Sequence, residues 1–203
     1  MFKVLSLAIL SAVLIGVVAN PLPDPQPNLA SRDLNSFIAS AQTLESTCSV
    51  FLGEFYDTFP PNVTILQQIA GHIEDCSNAF GASVIQLASI IPTPAGAGKG
   101  LTTAQATTIN NFVGTTGAVL SHLNQLQEDV GFFDGVAVSG LDGIYCHAVQ
   151  DLALRSTTYL GLLVIFAPST TFSGPWDSLH FQAVNGFTIF LSEDGFNCGG
   201  GSF

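Results

Sequence analysis

"INNFVGTTGAVLSHLNQLQEDV", Ile109 to Val130, carries Ile109, Phe112, Thr116, Val119, Leu123, Leu126 and Val130 at strictly alternating steps of three and four. A strand would need steps of two, so this spacing lines one side of a helix. Similar helical steps of three, four or seven run outward in both directions. Phe37, Ala41, Leu44, Cys48, Phe51, Phe55 and Phe59 form one stripe, and Leu66, Ile69, Ile73, Cys76, Phe80, Leu87 and Ile91 a second. Leu141, Tyr145, Ala148, Leu152, Tyr159, Leu162 and Phe166 form another, and Trp176, Leu179, Ala183, Phe187 and Phe190 a shorter last one. Five such stripes predict an all-α chain.

The breaks between stripes agree. Pro60-Pro61 ends the first helix, and Asn62 is placed to cap the second. "PTPAGAGKG" from Pro92 cannot continue a helix, and Thr102 with Gln105 then forms a capping box. "GFFDGVAVSG" reads as a separating loop with Ser139 as a cap, and Pro175 as a first-turn residue of the last helix. Short connections between long helices favour antiparallel neighbours. At about 1.5 Å of rise per residue, Cys48 and Cys76 reach similar heights on facing stripes, as do Cys146 and Cys198 if the last helix extends that far. The expected fold is therefore an antiparallel bundle of about five helices, braced by the disulfides Cys48–Cys76 and Cys146–Cys198.

One run tests whether the bundle is a membrane protein. "RSTTYLGLLVIFAP", Arg155 to Pro168, is apolar from Tyr159 to Ala167. Its length covers about half a bilayer core, and Arg155 and Pro168 bound it, so it is read as a deeply buried bundle helix and not as a span.

The ends and the composition give the setting. Residues 1–19 have an early Lys3, a long apolar stretch and small residues at the end, the pattern of a secretory signal peptide. Residues 20–31, with Pro21, Pro23, Pro25 and Pro27, read as an extended linker or pro-segment. The bundle is assigned to 32–198 and a Gly-rich tail to 199–203. Four cysteines in such a chain predict two disulfides, and "NVT" at Asn62 is a glycosylation acceptor. Only 9% of the chain is charged and the net charge is −11, which excludes nucleic acid and argues against electrostatic docking on anionic membranes. Affinity for lipid must come from apolar contact.

The linker ending "SRD", the segments "TFPPN", "IIPTPAGAGKGLTTAQA" and "FFDGVAVSGL", and the helix order over Ser31 to Phe196 resemble the fungal hydrophobic surface-binding protein A family. That family is allied to the cell wall galactomannoproteins. The resemblance implies a secreted or wall-associated protein that adsorbs to hydrophobic surfaces or holds fatty acids between its helices.

The residues themselves leave several readings open. Sixteen phenylalanines opposite small residues pack closely or leave a lipid-sized cavity. Phe112, Arg155, Tyr159 and Phe187 are the candidates around such a cavity. An inward Arg155 would clamp a fatty-acid carboxylate with help from the Tyr159 hydroxyl. A slightly rotated stripe (Tyr145, Val149, Leu152, Ser156, Leu160, Leu163) would instead expose Arg155 beside Asp151, one turn earlier. Phe132 and Phe133 either wedge into a hydrophobic surface or close the end of the core.

No GxSxG or HExxH motif occurs, and both disulfides together use every cysteine, so no catalytic site is predicted. His147 and Asp151 share a helix face, but two groups do not make a metal site, and no metal or cofactor is expected. The alternative class is a secreted structural or host-interaction protein with no small ligand.

Overall fold

The computed structural model describes residues 29–53, 63–91, 100–128, 130–192 and 198. Among them every regular element is a helix: α1 (Leu29–Gly53), α2 (Val63–Ile90), α3 (Thr103–Glu128), α4 (Val130–Ser139), α5 (Asp142–Phe166) and α6 (Thr170–Phe190). Residues 1–28, read above as a signal peptide and most of a linker, Pro60-Pro61, Asn62 and residues 199–203, read as a tail, lie outside the described residues. Helix α1 begins at Leu29, inside the end of the segment read as linker.

Five long helices form a closed ring. Helix α1 packs on α2, α2 on α5, α5 on α6, α6 on α3, and α3 back on α1. Short α4 rests against α2 and α3. Both expected disulfides are formed, Cys48–Cys76 between α1 and α2 and Cys146–Cys198 between α5 and the chain beyond α6. They tie the two hairpins that are consecutive in the chain and adjacent in space. In the chain-entropy view, closures over separations of 28 and 52 residues contribute about 3–4 kcal/mol each.

The two hairpins meet side by side with their helices parallel. The Tyr145 hydroxyl, early in α5, donates to the Leu66 carbonyl, early in α2, and the Tyr159 ring lies edge-on to Phe80 further along both. Helices α3 and α6 also run the same way, since Asn110 meets Trp176 and Gly117 faces Leu179. A ring of five cannot alternate direction all the way round, and these parallel contacts are how it closes.

Among the described residues the stripes supply most of the core, while Phe55 and Phe59 and the side chains of Phe51, Leu123, Leu126 and Val130 lie outside the description. Phe37, Ala41, Leu44 and Cys48 are buried on α1; Leu66, Ile69, Ile73, Cys76, Phe80 and Leu87 on α2; Trp176, Ala183, Phe187 and Phe190 on α6. Helix α5 is buried continuously from Thr158 to Leu163, and Ile165 then emerges half exposed. The apolar run is bundle core at its start and surface at its end. No described helix is long and apolar enough to cross a membrane.

The capping box at α3 forms as expected. The Thr102 amide donates to Gln105 Oε1 at 2.8 Å, and the Gln105 amide to Thr102 Oγ1 at 3.2 Å. Just before it, the Leu101 amide donates to the Phe166 carbonyl at 2.8 Å. A side chain at Gly100 would meet that carbonyl oxygen at 2.5 Å, so only glycine fits the approach.

Three local expectations are corrected. "GFFDGVAVSG" is helix α4 and not a loop, because Phe132 and Val136, one turn apart, both bury their side chains. The chain turns one residue later, at Gly140 with φ of 67°, so Ser139 ends α4 instead of capping α5, and Leu141 takes the cap position without a side-chain bond. Helix α6 starts at Thr170, which leaves Pro175 inside the helix, where its ring removes one backbone donor. That helix stops at Phe190, eight residues short of Cys198.

Candidate functional site

Of the residues expected around a central cavity, Arg155 lies at the surface, while Tyr159 and Phe187 are buried in the core and Phe112 packs against it. Arg155 is about one-third exposed, its Nη2 3.8 Å from Asp151 Oδ2. Its Nη1 donates to Asn78 Oδ1 on α2, and its stem lies over Gly81, where an added Cβ would sit 3.3 Å from Arg155 Cδ. Residues of both stripes are buried around it, Ala148, Tyr159 and Leu162 as well as Val149, Ser156 and Leu163, but Arg155 itself is partly exposed and paired at the surface, so it is not an inward clamp. Tyr159 is fully buried, and its hydroxyl has no hydrogen-bond partner among the described residues. Burial pushes its phenol well above the ordinary tyrosine range. Phe187 is buried in the core and Phe112 is half-buried.

The expected surface wedge is also displaced. Phe132 is fully buried, with its ring edge-on to Tyr145 at 5.3 Å, so it closes the core and presents no ring to solvent. The Phe133 side chain and the Asn62 acceptor lie outside the described residues. Histidine His147 is exposed, and the described residues contain no group of three His, Cys, Asp or Glu that could hold a metal ion.

An open groove lies elsewhere, between the parallel helices α3 and α6. It measures about 520 Å³ and is lined by Asn110, Val113, Gly114 and Gly117 from α3 and by Pro175, Trp176, Ser178, Leu179 and Gln182 from α6. Two glycines one turn apart create it. A Cβ at Gly114 would meet nothing within 4 Å, and one at Gly117 would touch only Leu179 at 3.7 Å. Where side chains would otherwise fill the seam between helices, there is space. Trp176 forms one wall, tilted against Phe172 at 5.5 Å between ring centroids.

The polar groups of the groove are neutral. Trp176 Nε1 donates to Asn110 Oδ1 at 3.0 Å, and Gln182 Nε2 donates to Ser178 Oγ at 3.4 Å. Asp177 falls between Trp176 and Ser178 in the chain, and no lining residue is charged. His180, on the same helix, has its pKa lowered from the ordinary histidine value by burial, with Asp177 pulling the other way.

The groove size falls in the ~300–1,000 Å³ range of small-molecule sites, and its walls are largely apolar with a few placed polar groups. Sequence reasoning did not find it. The available signal was "GTTG", Gly114 to Gly117, two helix-weakening glycines in the middle of the most regular helix, opposite the only tryptophan of the chain. Comparison with protein-family models, with curated proteins and with solved structures gives no match to this chain.

Proposed function

We propose that this is a secreted, non-enzymatic protein that binds lipid or other apolar material, and that it does so in the groove between α3 and α6. The observation that carries the reading is the 520 Å³ of space walled by Trp176, Leu179, Pro175 and Val113 and kept open by Gly114 and Gly117. A long alkyl chain laid in that seam would cover Pro175 and Leu179, the apolar wall residues that still face water, and apolar contact is the main source of affinity available to a chain so poor in charge. The two disulfides support an oxidising, extracellular setting. The reading is in line with what the resemblance to the fungal hydrophobic surface-binding family implies, wall association included, but it moves the ligand from the bundle centre to its side.

Trp176 is the only tryptophan, so its emission reports on the groove without a label. Titration with a long-chain alcohol should give a saturable emission change in the native protein. Gly114→Leu, which fills open space, should weaken binding at least tenfold while leaving the helical circular dichroism signal intact. Equal saturation of both proteins would place the ligand elsewhere.

A further inference from the structure

We infer that the groove selects a neutral lipid head that offers an oxygen acceptor, an ester or an alcohol, over a carboxylate anion. This inference rests on the groove being the lipid site. It starts from Trp176, whose indole N–H is a donor only. Its bond to Asn110 at 3.0 Å therefore fixes the amide orientation, with Oδ1 toward the indole and the Nδ2 hydrogens turned to other partners. Asn110 is exposed at the groove wall, so those two hydrogens are available to a ligand oxygen. On the opposite helix Ser178 Oγ already accepts from Gln182, which leaves the hydroxyl hydrogen as a further donor. The polar wall is donor-rich.

Donors alone would also receive a carboxylate, and charge separates the two ligands. No lining residue carries a positive charge to offset the desolvation of an anion. Arg155, the natural clamp for a fatty acid, is held by Asp151 and Asn78 on the α2–α5 face. Asp177 adjoins the groove in the chain, and the chain as a whole carries a net charge of −11. An ester carbonyl or an alcohol oxygen satisfies the Asn110 and Ser178 donors without bringing an uncompensated charge.

The test uses the full mature protein with four ligands of equal chain length: methyl hexadecanoate, hexadecanol, hexadecanoate at pH 8, and hexadecane. Trp176 emission and native mass spectrometry read the binding. The ester and the alcohol should bind at least tenfold more tightly than the carboxylate. Asn110→Asp keeps an acceptor for the indole but removes the donors. It should weaken ester binding about threefold to tenfold, the worth of one lost hydrogen bond, and leave hexadecane unaffected. Ser178→Ala, at an exposed position that cannot unfold the chain, should act in the same direction. Carboxylate binding as tight as the ester, or ester binding indifferent to both substitutions while hexadecane still binds, overturns the head-group selection and leaves the groove standing. No response to any of the four ligands removes the groove and the selection together.

Discussion

Two tyrosines on α5 show how one hydroxyl differs from another. Tyr145 and Tyr159 are both fully buried, and burial raises both phenols. Tyr145 donates to the Leu66 carbonyl, whereas the Tyr159 hydroxyl finds no partner among the described residues. The same substitution should therefore have opposite signs. Tyr145→Phe is expected to destabilise by about 1 kcal/mol, and Tyr159→Phe to be neutral or stabilising, because it removes a desolvated group with nothing to bond. Urea denaturation of the two variants checks this, and equal losses would contradict it. Arg155→Ala removes a partly exposed pair, so it should cost less than about 1 kcal/mol and leave ligand binding unchanged. The sequence placed Arg155 within reach of two stripes separated by a small rotation. Periodicity cannot resolve that rotation, because it depends on which neighbours cover the helix.

At the scale of elements, the stripes and the α3 cap were readable because each depends on residues close in the chain. Thr102→Ala breaks the capping box and should cost about 1 kcal/mol in thermal or urea unfolding. Gly114→Ala should do the reverse, adding up to about 1 kcal/mol, since the position is helical and open. A glycine kept at that cost in mid-helix is consistent with a need for the space it leaves. Helix α4 was not readable. Gly131, Gly135 and Gly140 around Phe132 and Val136 look like a loop, and only the surface of α2 and α3 on which α4 packs makes it a helix. Pro175 misled for a similar reason. Proline marks a first turn when propensity alone decides, but Trp176, buried directly after Pro175 with its ring against Phe172, anchors the helix around the proline.

For the whole molecule, the Cys48–Cys76 bridge followed from the heights of two helical cysteines. The Cys146–Cys198 bridge formed although α6 stops at Phe190 and helix rise does not set the height of Cys198. The ring order was not readable. Which hairpin lies beside which, and that α3 lies between α1 and α6, arises from side-chain fit across the bundle. The groove belongs to that level, since it exists only where α3 and α6 run together. Histidines His122 and His180 both have pKa values lowered by burial from an ordinary 6.5. The unfolded chain then takes up protons more readily than the folded one, so their contribution is fully present above pH 6.5. It falls as the pH drops below that value toward the folded pKa values. Thermal unfolding between pH 8 and pH 5 should show this loss, and its slope in that range should flatten in His122→Gln or His180→Gln.

The most direct test of the account is the position of a bound chain. Nuclear Overhauser contacts from the methylenes of a bound long-chain ester should run to the Trp176 indole, the Leu179 methyls and the Gly114 and Gly117 α-protons. Contacts to the Phe80 and Tyr159 rings instead would put the lipid in the centre of the bundle and contradict a lateral site.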